Sequence, residues 1–339
     1  MTYDITLIPG DGIGPEVTSA AQRVLAAAGV TINWDIQHAG AGVIETHHTP
    51  LPPSVLDSIR ANKVALKGPI TTPVGSGFRS VNVAIRKELD LFANIRPART
   101  LPGIPLAHEN VDVVVIRENT EGLYVGIEHE VIAGEAAEAV RIITRKGSER
   151  IVRFAFDYAR NNGRQKVTAV HKANILKITD GLFLKAARLV AAAYEDIDYE
   201  EAIVDAACMQ LALRPADFDV LVLPNLYGDI VSDLCSGLVG GLGVTPAANI
   251  GLDYAVFEPV HGSAPTIAGL NKANPSAAIL TAALMLRHLG EVTKAENIEN
   301  AVYQIIADGR YVTADLKPSL TDPTAVGTRE MTDAIIARL

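Results

Sequence analysis

The sequence predicts an α/β protein with helices covering a sheet. Two observations carry this. Short runs of β-type residues alternate with amphipathic helical runs along the chain. The 339 residues, 48% of them hydrophobic, are too many for one small core and suit two lobes, or one large domain with an insertion.

The strands are read at YDITLIP, VDVVVIR, KVTAVHK, YEEAIVDAA and DVLVLPN, each rich in β-branched residues. The helices are read at Pro15–Ala28, Ser148–Asn161 and Asp180–Tyr194, with a closing helix over Thr328–Leu339. Gly122–Ile142 breaks the rhythm: it has β-type residues and glycines but no helical period, and reads as an inserted β arm. After the first strand comes Gly10-Asp11-Gly12-Ile13-Gly14. This loop resembles a dinucleotide fingerprint, and Asp35 lies roughly where a ribose-binding acid would. The third glycine arrives one position early, however, and Pro15 is well explained as the first residue of a helix. A tight strand-to-helix turn is the favoured reading.

The segment from Ser80 to Arg117 gathers arginines within an acidic chain. Ser80 is a good N-cap. Val81, Ile85 and Leu89 form an apolar stripe, while Asn82 and Arg86 share another face. That face suits a carboxylate. Arg96 follows the helix, and Arg117 ends the next strand, where ligand crevices open in α/β sheets. Guanidinium forks favour carboxylates, so Arg86, Arg96 and Arg117 imply a small polycarboxylate ligand. Arg79 and Arg99 read as surface arginines.

Asp229 and Asp233 are one helical turn apart, which costs about 0.2–0.5 kcal/mol with nothing between them. A divalent cation reverses that sign, and all-oxygen ligands select Mg²⁺ or Mn²⁺ over zinc. The plainer alternative is a helix cap at Asp229 and a solvated Asp233. Asp205 is a third acid, read at the end of the strand YEEAIVD. Lys172 ends a strand before Asn174 and can reach a crevice, whereas His171 beside it reads as a packed residue. The loop FEPVHGSAP sets His261 among small residues that let a flat ring approach, and Asn274 offers an amide before a helix; a structural turn is the plainer reading of both.

Composition excludes several classes. Lys+Arg 30 against Asp+Glu 39 gives a net charge of −9, a poor basis for gripping nucleic acid or an anionic membrane. Two cysteines, Cys208 and Cys235, exclude a disulfide scaffold and read as buried thiols. The longest apolar run, Ala277 to Leu286, falls far short of the ~20 residues of a membrane span. The start MTYDITLIPG does not read as a secretory signal, so a cytoplasmic location is expected, with an organelle matrix as the alternative.

Taken together, the strings IPGDGIGPEV, GPITTPVG, RKELDLFANIRP, RENTEGLYVG, HKANILKITDGLF, NLYGDIVSDL and EPVHGSAP resemble the decarboxylating β-hydroxyacid dehydrogenases, the isocitrate/3-isopropylmalate dehydrogenase family. The resemblance covers essentially the whole chain. It implies the family's own α/β fold rather than the Rossmann type, with a large cofactor-binding domain from both chain ends (1–97 and 246–339). A small dimerisation and metal-binding domain (98–245) would carry a β clasp at about 122–142. It implies metal acids Asp229 and Asp233, with Asp205 from the partner of a homodimer that shares its active sites, a tetramer of two such dimers being the alternative assembly. Catalytic residues would be Tyr124 as proton donor, Lys172 of the partner as base, and Asp205 beside it. Substrate would meet Ser80, Asn82, Arg86, Arg96, Arg117 and Asn174. The cofactor would lie along His261, Gly262, Ser263, Ala264, Pro265, Thr266, Asn274 and Asp315, with Thr72 near the nicotinamide.

The polar pair Ser80 and Asn82 fits the γ-carboxylate of isocitrate, where isopropylmalate enzymes place a carboxylate and leucines. NAD-using relatives usually carry an aspartate at the position of Thr266. NADP-using bacterial relatives carry a Lys-Tyr pair at Thr266-Ile267, and a tyrosine and an arginine at Ala314 and Pro318. No cation remains here for a 2′-phosphate, so NAD is expected over NADP. The resemblance thus implies an Mg²⁺- or Mn²⁺-dependent, NAD-linked isocitrate dehydrogenase of the tricarboxylic acid cycle. Homoisocitrate, 3-isopropylmalate or broad β-hydroxyacid dehydrogenases and a non-catalytic regulatory subunit are its rivals.

Overall fold

The computed structural model describes residues 1–73, 78 and 80–339; Arg79 lies outside them. Twelve strands occur among the described residues: β1 (Thr2–Ile8), β2 (Thr31–Ile36), β3 (Val64–Lys67), β4 (Ala93–Arg99), β5 (Asp112–Glu118), β6 (Gly122–Ile132), β7 (Ala136–Ile142), β8 (Lys166–His171), β9 (Asp198–Ile203), β10 (Val220–Leu223), β11 (Ala248–Ile250) and β12 (Ala255–Phe257). The chain divides into two compact units, one of residues 1–89, 100–107 and 239–339, the other of 90–99 and 108–238.

In the first unit the strands run in the order β2-β1-β3-β12-β11. β1 pairs in parallel with β2 and β3, β3 with β12, and β11 lies antiparallel to β12. The residues Val64–Lys67 are buried along their whole length, as expected of a strand covered on both faces. The helix Ser276–His288 holds the apolar run Ala277–Leu286 and is buried all round except at Leu284, Arg287 and His288. The run is therefore a core helix. No helix among the described residues is long and apolar enough to cross a membrane.

In the second unit the order is β4-β5-β10-β8-β9. β5, β10, β8 and β9 are parallel neighbours, and β4 lies antiparallel to β5. That pairing carries the chain from Ala93 to Arg99 into the second unit, so the expected boundary at residue 97 moves back to 89. A short return, residues 100–107, and the start of the closing segment at 239 also belong with the first unit. β6 and β7 form a separate antiparallel hairpin, the expected arm. It turns at Gly134, whose φ of +70° suits a residue without Cβ.

The expected helices appear as Gly14–Ala27, Arg145–Asn161, Thr179–Ala191 and Thr328–Ile336. The second starts earlier than expected because Thr144 caps it, accepting from Gly147 N at 3.0 Å. One element is corrected. β9 ends at Ile203, and a helix runs from Val204 to Leu213. Asp205 therefore sits in a first helical turn and not at a strand end. The β-branched pair Ile203-Val204 favoured continuing the strand, and tertiary context overrode it.

Candidate active site

The glycine loop is a packing device. Gly12 has φ +60°, and a Cβ there would lie 1.9 Å from Ser263 O. Ile13 N donates to the same oxygen at 2.9 Å, and Asp11 accepts from Thr71 N at 2.9 Å. The loop thus buttresses the segment that carries His261 to Pro265. Asp35 accepts from Ser58 at 2.6 Å and Gln37 at 2.7 Å, hydrogen bonds that hold its carboxyl below the usual range. The tight-turn reading holds, and the acid is already occupied.

In the same unit, Ser80 caps the helix Val81–Glu88, accepting from Val83 N at 3.5 Å and from Thr72 Oγ1 at 3.2 Å. Its own hydroxyl proton is left to donate. Val81, Ile85 and Leu89 are buried as the apolar stripe. On the other face Arg86 is also buried, donating to Glu258 Oε1 at 2.8 Å. Lys67, 1% exposed, donates to Glu258 Oε2 at 2.5 Å, and Asn249 to Oε1 at 2.9 Å. Burial opposes ionisation of Glu258, but the charges of Lys67 and Arg86 outweigh it and hold the carboxyl far below its ordinary range. Arg86 Nε and Asn82 Oδ1 are buried without a partner among the described residues. Buried polar atoms are rarely left so, and a ligand would satisfy them. Sequence reasoning missed Lys67 and the role of Glu258; the strings GPITTPVG and EPVHGSAP only border or begin on them.

His261 faces Gly262 O through Nδ1 at 3.0 Å, while its Nε2 is buried with no partner among the described residues. Burial lowers its pKa. The ring is neutral, with Nδ1–H donating and the Nε2 lone pair free for a donor. Ser263 is buried, and its hydroxyl lies 2.6 Å from that of Thr71. Ala264 takes a left-handed φ of +38°, which turns the chain into Pro265–Ile267. Thr266 is exposed. Asn274 and Asp315 bond to each other at 2.9 Å, and Thr313 donates to Asp315 at 2.6 Å. The structure therefore brings together two residues assigned to one ligand from distant parts of the chain.

In the second unit, the buried Arg96 of β4 and Arg117 of β5 meet the helix Asn225–Leu238. Arg96 donates to Ser232 Oγ at 2.7 Å and reaches Asp233 and Asp229, each at 3.2 Å. Arg117, 1% exposed, donates to Asn225 Oδ1 at 2.8 Å and to Asp229. Tyr124 of β6 donates to Asp229 Oδ2 at 2.5 Å, and the Arg117 guanidinium lies over its ring at 4.9 Å. Burial, then the bond to Asp229, pushes the Tyr124 hydroxyl up, so it holds its proton at neutral pH. Burial also raises Asp233, opposed by Arg96. Gly228 is required here, because a Cβ would lie 2.5 Å from Arg117 Cγ.

Asp229, though both its oxygens accept hydrogen bonds, and Asp233 remain partly open to solvent, their side chains being 34% and 56% exposed. Two carboxylates one turn apart offer the hard oxygen donors that Mg²⁺ or Mn²⁺ takes, so the residues fit such an ion. No group of three or more His, Cys, Asp or Glu able to hold a metal occurs among the described residues. Asp205 pairs instead with Lys172. That hydrogen bond lowers the Asp205 carboxyl. His171 is buried, as expected, and Asn174 is exposed. Arg99 is exposed as well. Cys235 is buried, while Cys208 is only half-buried.

Residues 4–335 match the family model for isocitrate/isopropylmalate dehydrogenases. The chain belongs to the isocitrate/isopropylmalate dehydrogenase family. Within that family, the chain is 52% identical over 335 residues to the isocitrate dehydrogenase [NAD] catalytic subunit 5, mitochondrial, of Arabidopsis thaliana, covering 98% of this chain and 88% of that protein. It is 50% identical over 341 residues to the isocitrate dehydrogenase [NAD] regulatory subunit 1, mitochondrial, of the same plant, covering 99% and 89%. The crystal structure of isocitrate dehydrogenase from Methylococcus capsulatus superimposes with a TM-score of 0.96 at 55% identity, covering 99% of each chain. The family's fold is the one seen here, so the expectation of a non-Rossmann α/β architecture holds.

Proposed function

We propose that this family member oxidises and decarboxylates isocitrate to 2-oxoglutarate and CO₂, passing hydride to NAD. The observation that carries the reading is the group of Arg96, Arg117, Asp229, Asp233 and Tyr124. Two buried guanidiniums beside two half-open carboxylates suit a ligand that brings both carboxylates and a cation. Arg86, with its unpartnered Nε, is the third proposed carboxylate ligand, and Ser80 and Asn82 the hydrogen-bonding partners of the γ-carboxylate. Asn174 is proposed beside the substrate.

A divalent cation on Asp229, Asp233 and the partner's acid at position 205 would polarise the substrate's hydroxyl and adjacent carboxylate. NAD would accept the hydride. The partner's Lys172, oriented by the Asp205 of its own chain as the pair seen here is, takes the hydroxyl proton as hydride leaves. Arg96 and Arg117 hold the carboxylates while CO₂ departs. Tyr124, protonated at neutral pH, returns a proton to the carbon.

His261 Nε2 is proposed to accept from the adenine amino group, with Gly262, Ser263, Ala264, Pro265 and Thr266 along the adenosine, Asn274 and Asp315 at its edge, and Thr72 near the nicotinamide. Lys317 donates to Gly309 O at 2.8 Å, so its ammonium is already engaged, which favours NAD.

The proposed assembly is a homodimer with shared sites, or a pair of such dimers. The hairpin β6/β7 supports it: Val131 and Ile132 of β6 and Val140 of β7 are exposed apolar residues on a two-stranded hairpin. The relative named as regulatory favours a second reading, a non-catalytic chain in a hetero-oligomer, against which the complete set of acids, arginines, Tyr124 and Lys172 weighs. Location is proposed as the cytoplasm, with the organelle matrix the alternative that the mitochondrial relatives support.

One rate panel tests the function: isocitrate, homoisocitrate, isopropylmalate and malate, each with NAD and NADP, on the chain purified alone. An isopropyl group leaves Ser80 and Asn82 unpaired at about 1–3 kcal/mol each, so kcat/KM for isocitrate should exceed that for isopropylmalate by more than about tenfold. Equal values refute the substrate, faster turnover with NADP refutes the cofactor, and no turnover with any pair favours the regulatory reading.

A further inference from the structure

Asp180 has no exposed surface at all, and nothing in the proposed chemistry uses it. It lies in the first turn of the helix Thr179–Ala191. One carboxylate oxygen accepts the backbone N–H of Lys172 at 2.6 Å. The other lies 2.5 Å from Arg141 Nη1, on the hairpin strand β7. Arg141 in turn donates to the Tyr227 hydroxyl at 3.1 Å, and its guanidinium stacks on that ring at 4.8 Å. A carboxylate removed from water is costly unless charge and hydrogen bonds compensate it. Here the compensation comes from the clasp on one side and from the backbone of the proposed base on the other.

The turn after β8 is held at both ends of one residue. The Lys172 carbonyl accepts from Ile175 N at 3.0 Å and Leu176 N at 2.9 Å, and Asp180 N donates to Leu176 O at 3.0 Å. The residues Asn174 to Ile178 are exposed, so side-chain packing within this chain contributes little to their placement. The hydrogen bond to Asp180 holds the Lys172 N–H at the point where its side chain leaves the strand to reach Asp205.

We propose that Asp180 is a positioning residue, which fixes the backbone of Lys172 at the end of β8, while Arg141 of the clasp hairpin balances its buried charge. The inference rests on Lys172 being the base. A displacement of about 1 Å at such a group costs roughly 100-fold in turnover.

The test uses the full chain in four forms: Asp180→Ala, Asp180→Asn, the double variant Asp180→Asn with Arg141→Met, and Lys172→Met. Steady-state rates with isocitrate and NAD are measured beside thermal unfolding. Asp180→Ala should lower kcat about 100-fold with both KM values little changed. Asp180→Asn keeps an acceptor for the Lys172 N–H and should recover most of that loss. In the double variant both charges are gone, so Tm should return toward wild type while kcat stays at the Asp180→Asn level. Wild-type kcat in a folded Asp180→Ala chain overturns the proposal. So does a kcat that rises in step with Tm in the double variant, a result that also decides the matter if Asp180→Ala does not fold. Turnover by Lys172→Met would sink the base assignment instead, so the two failures are distinguishable.

Discussion

Arg117 can lie against the helix Asn225–Leu238 only because residue 228 has no Cβ. Gly228→Ala places a methyl 2.5 Å from Arg117 Cγ, and the guanidinium must leave Asn225 and Asp229. Overpacking of this kind costs about 1–3 kcal/mol, and kcat/KM for isocitrate should fall at least about tenfold with little change in NAD affinity; unaltered kinetics would remove Arg117 from the substrate site. Glu258 gives a second residue-scale prediction. Its folded carboxyl lies well below the unfolded value of 4.5. The unfolded chain therefore binds more protons in acid, and the contribution of Glu258 to stability is complete above that value and declines as pH falls toward the folded pKa. Glu258→Gln strands the buried Lys67 and Arg86 charges and should cost about 3–5 kcal/mol at pH 7. In denaturant unfolding the deficit should shrink from pH 7 to pH 3. A deficit independent of pH would contradict the charge account. The sequence showed Arg86 but gave no sign of Glu258 as its anchor, because the two are 172 positions apart.

The helix Asn225–Leu238 carries the metal prediction at the scale of an element. Its turn sets Asp229 and Asp233 on one face, as the spacing of four requires. Exhaustive chelation should abolish turnover, and Mg²⁺ or Mn²⁺ should restore it. Loss of a partner beyond the ligands typically costs about 10–100-fold in metal affinity, so Asp229→Asn should cost at least that much, read by titrating metal against activity. Full activity after chelation would exclude the mechanism. The apolar run DVLVLPN was enough to read the buried strand before this helix, and the spacing of four between Asp229 and Asp233 presupposed the helix itself. Pattern reading failed at β9, where Ile203 and Val204 continue a strand pattern and the chain turns helical instead, moving Asp205 from a strand end into a helix.

The whole-molecule prediction concerns the sharing of sites. Within one chain, Asp205 pairs with Lys172 while Asp229 and Asp233 pair with Arg96, which motivates two half-sites completed by a second copy. Lys172→Ala and Asp229→Asn homodimers should each be nearly inactive. Refolded together in equal amounts, about half of the dimers should be hybrids. One site of each hybrid then collects both substitutions and the other neither, so activity should return to roughly a quarter of wild type. No recovery from confirmed hybrids would show that each chain holds a complete site.

The sequence alone determined the strand–helix alternation, the hairpin arm, the Ser80 cap, the arginine series and the paired aspartates, since each is a short-range pattern of period two, four or a single turn. Only the tertiary structure decided how those patterns are anchored. It put Glu258 under Arg86, Asn225 and Gly228 beside Arg117, Ser263 against the glycine loop, Asn274 on Asp315, and Asp180 between Lys172 and Arg141. Except for Asp180 and Lys172, eight positions apart, these pairs lie from 39 to 251 positions apart in the chain. The physical reason is that a buried polar group must find its partner wherever folding brings one within about 3 Å, and no local pattern of residues records which distant segment will supply it.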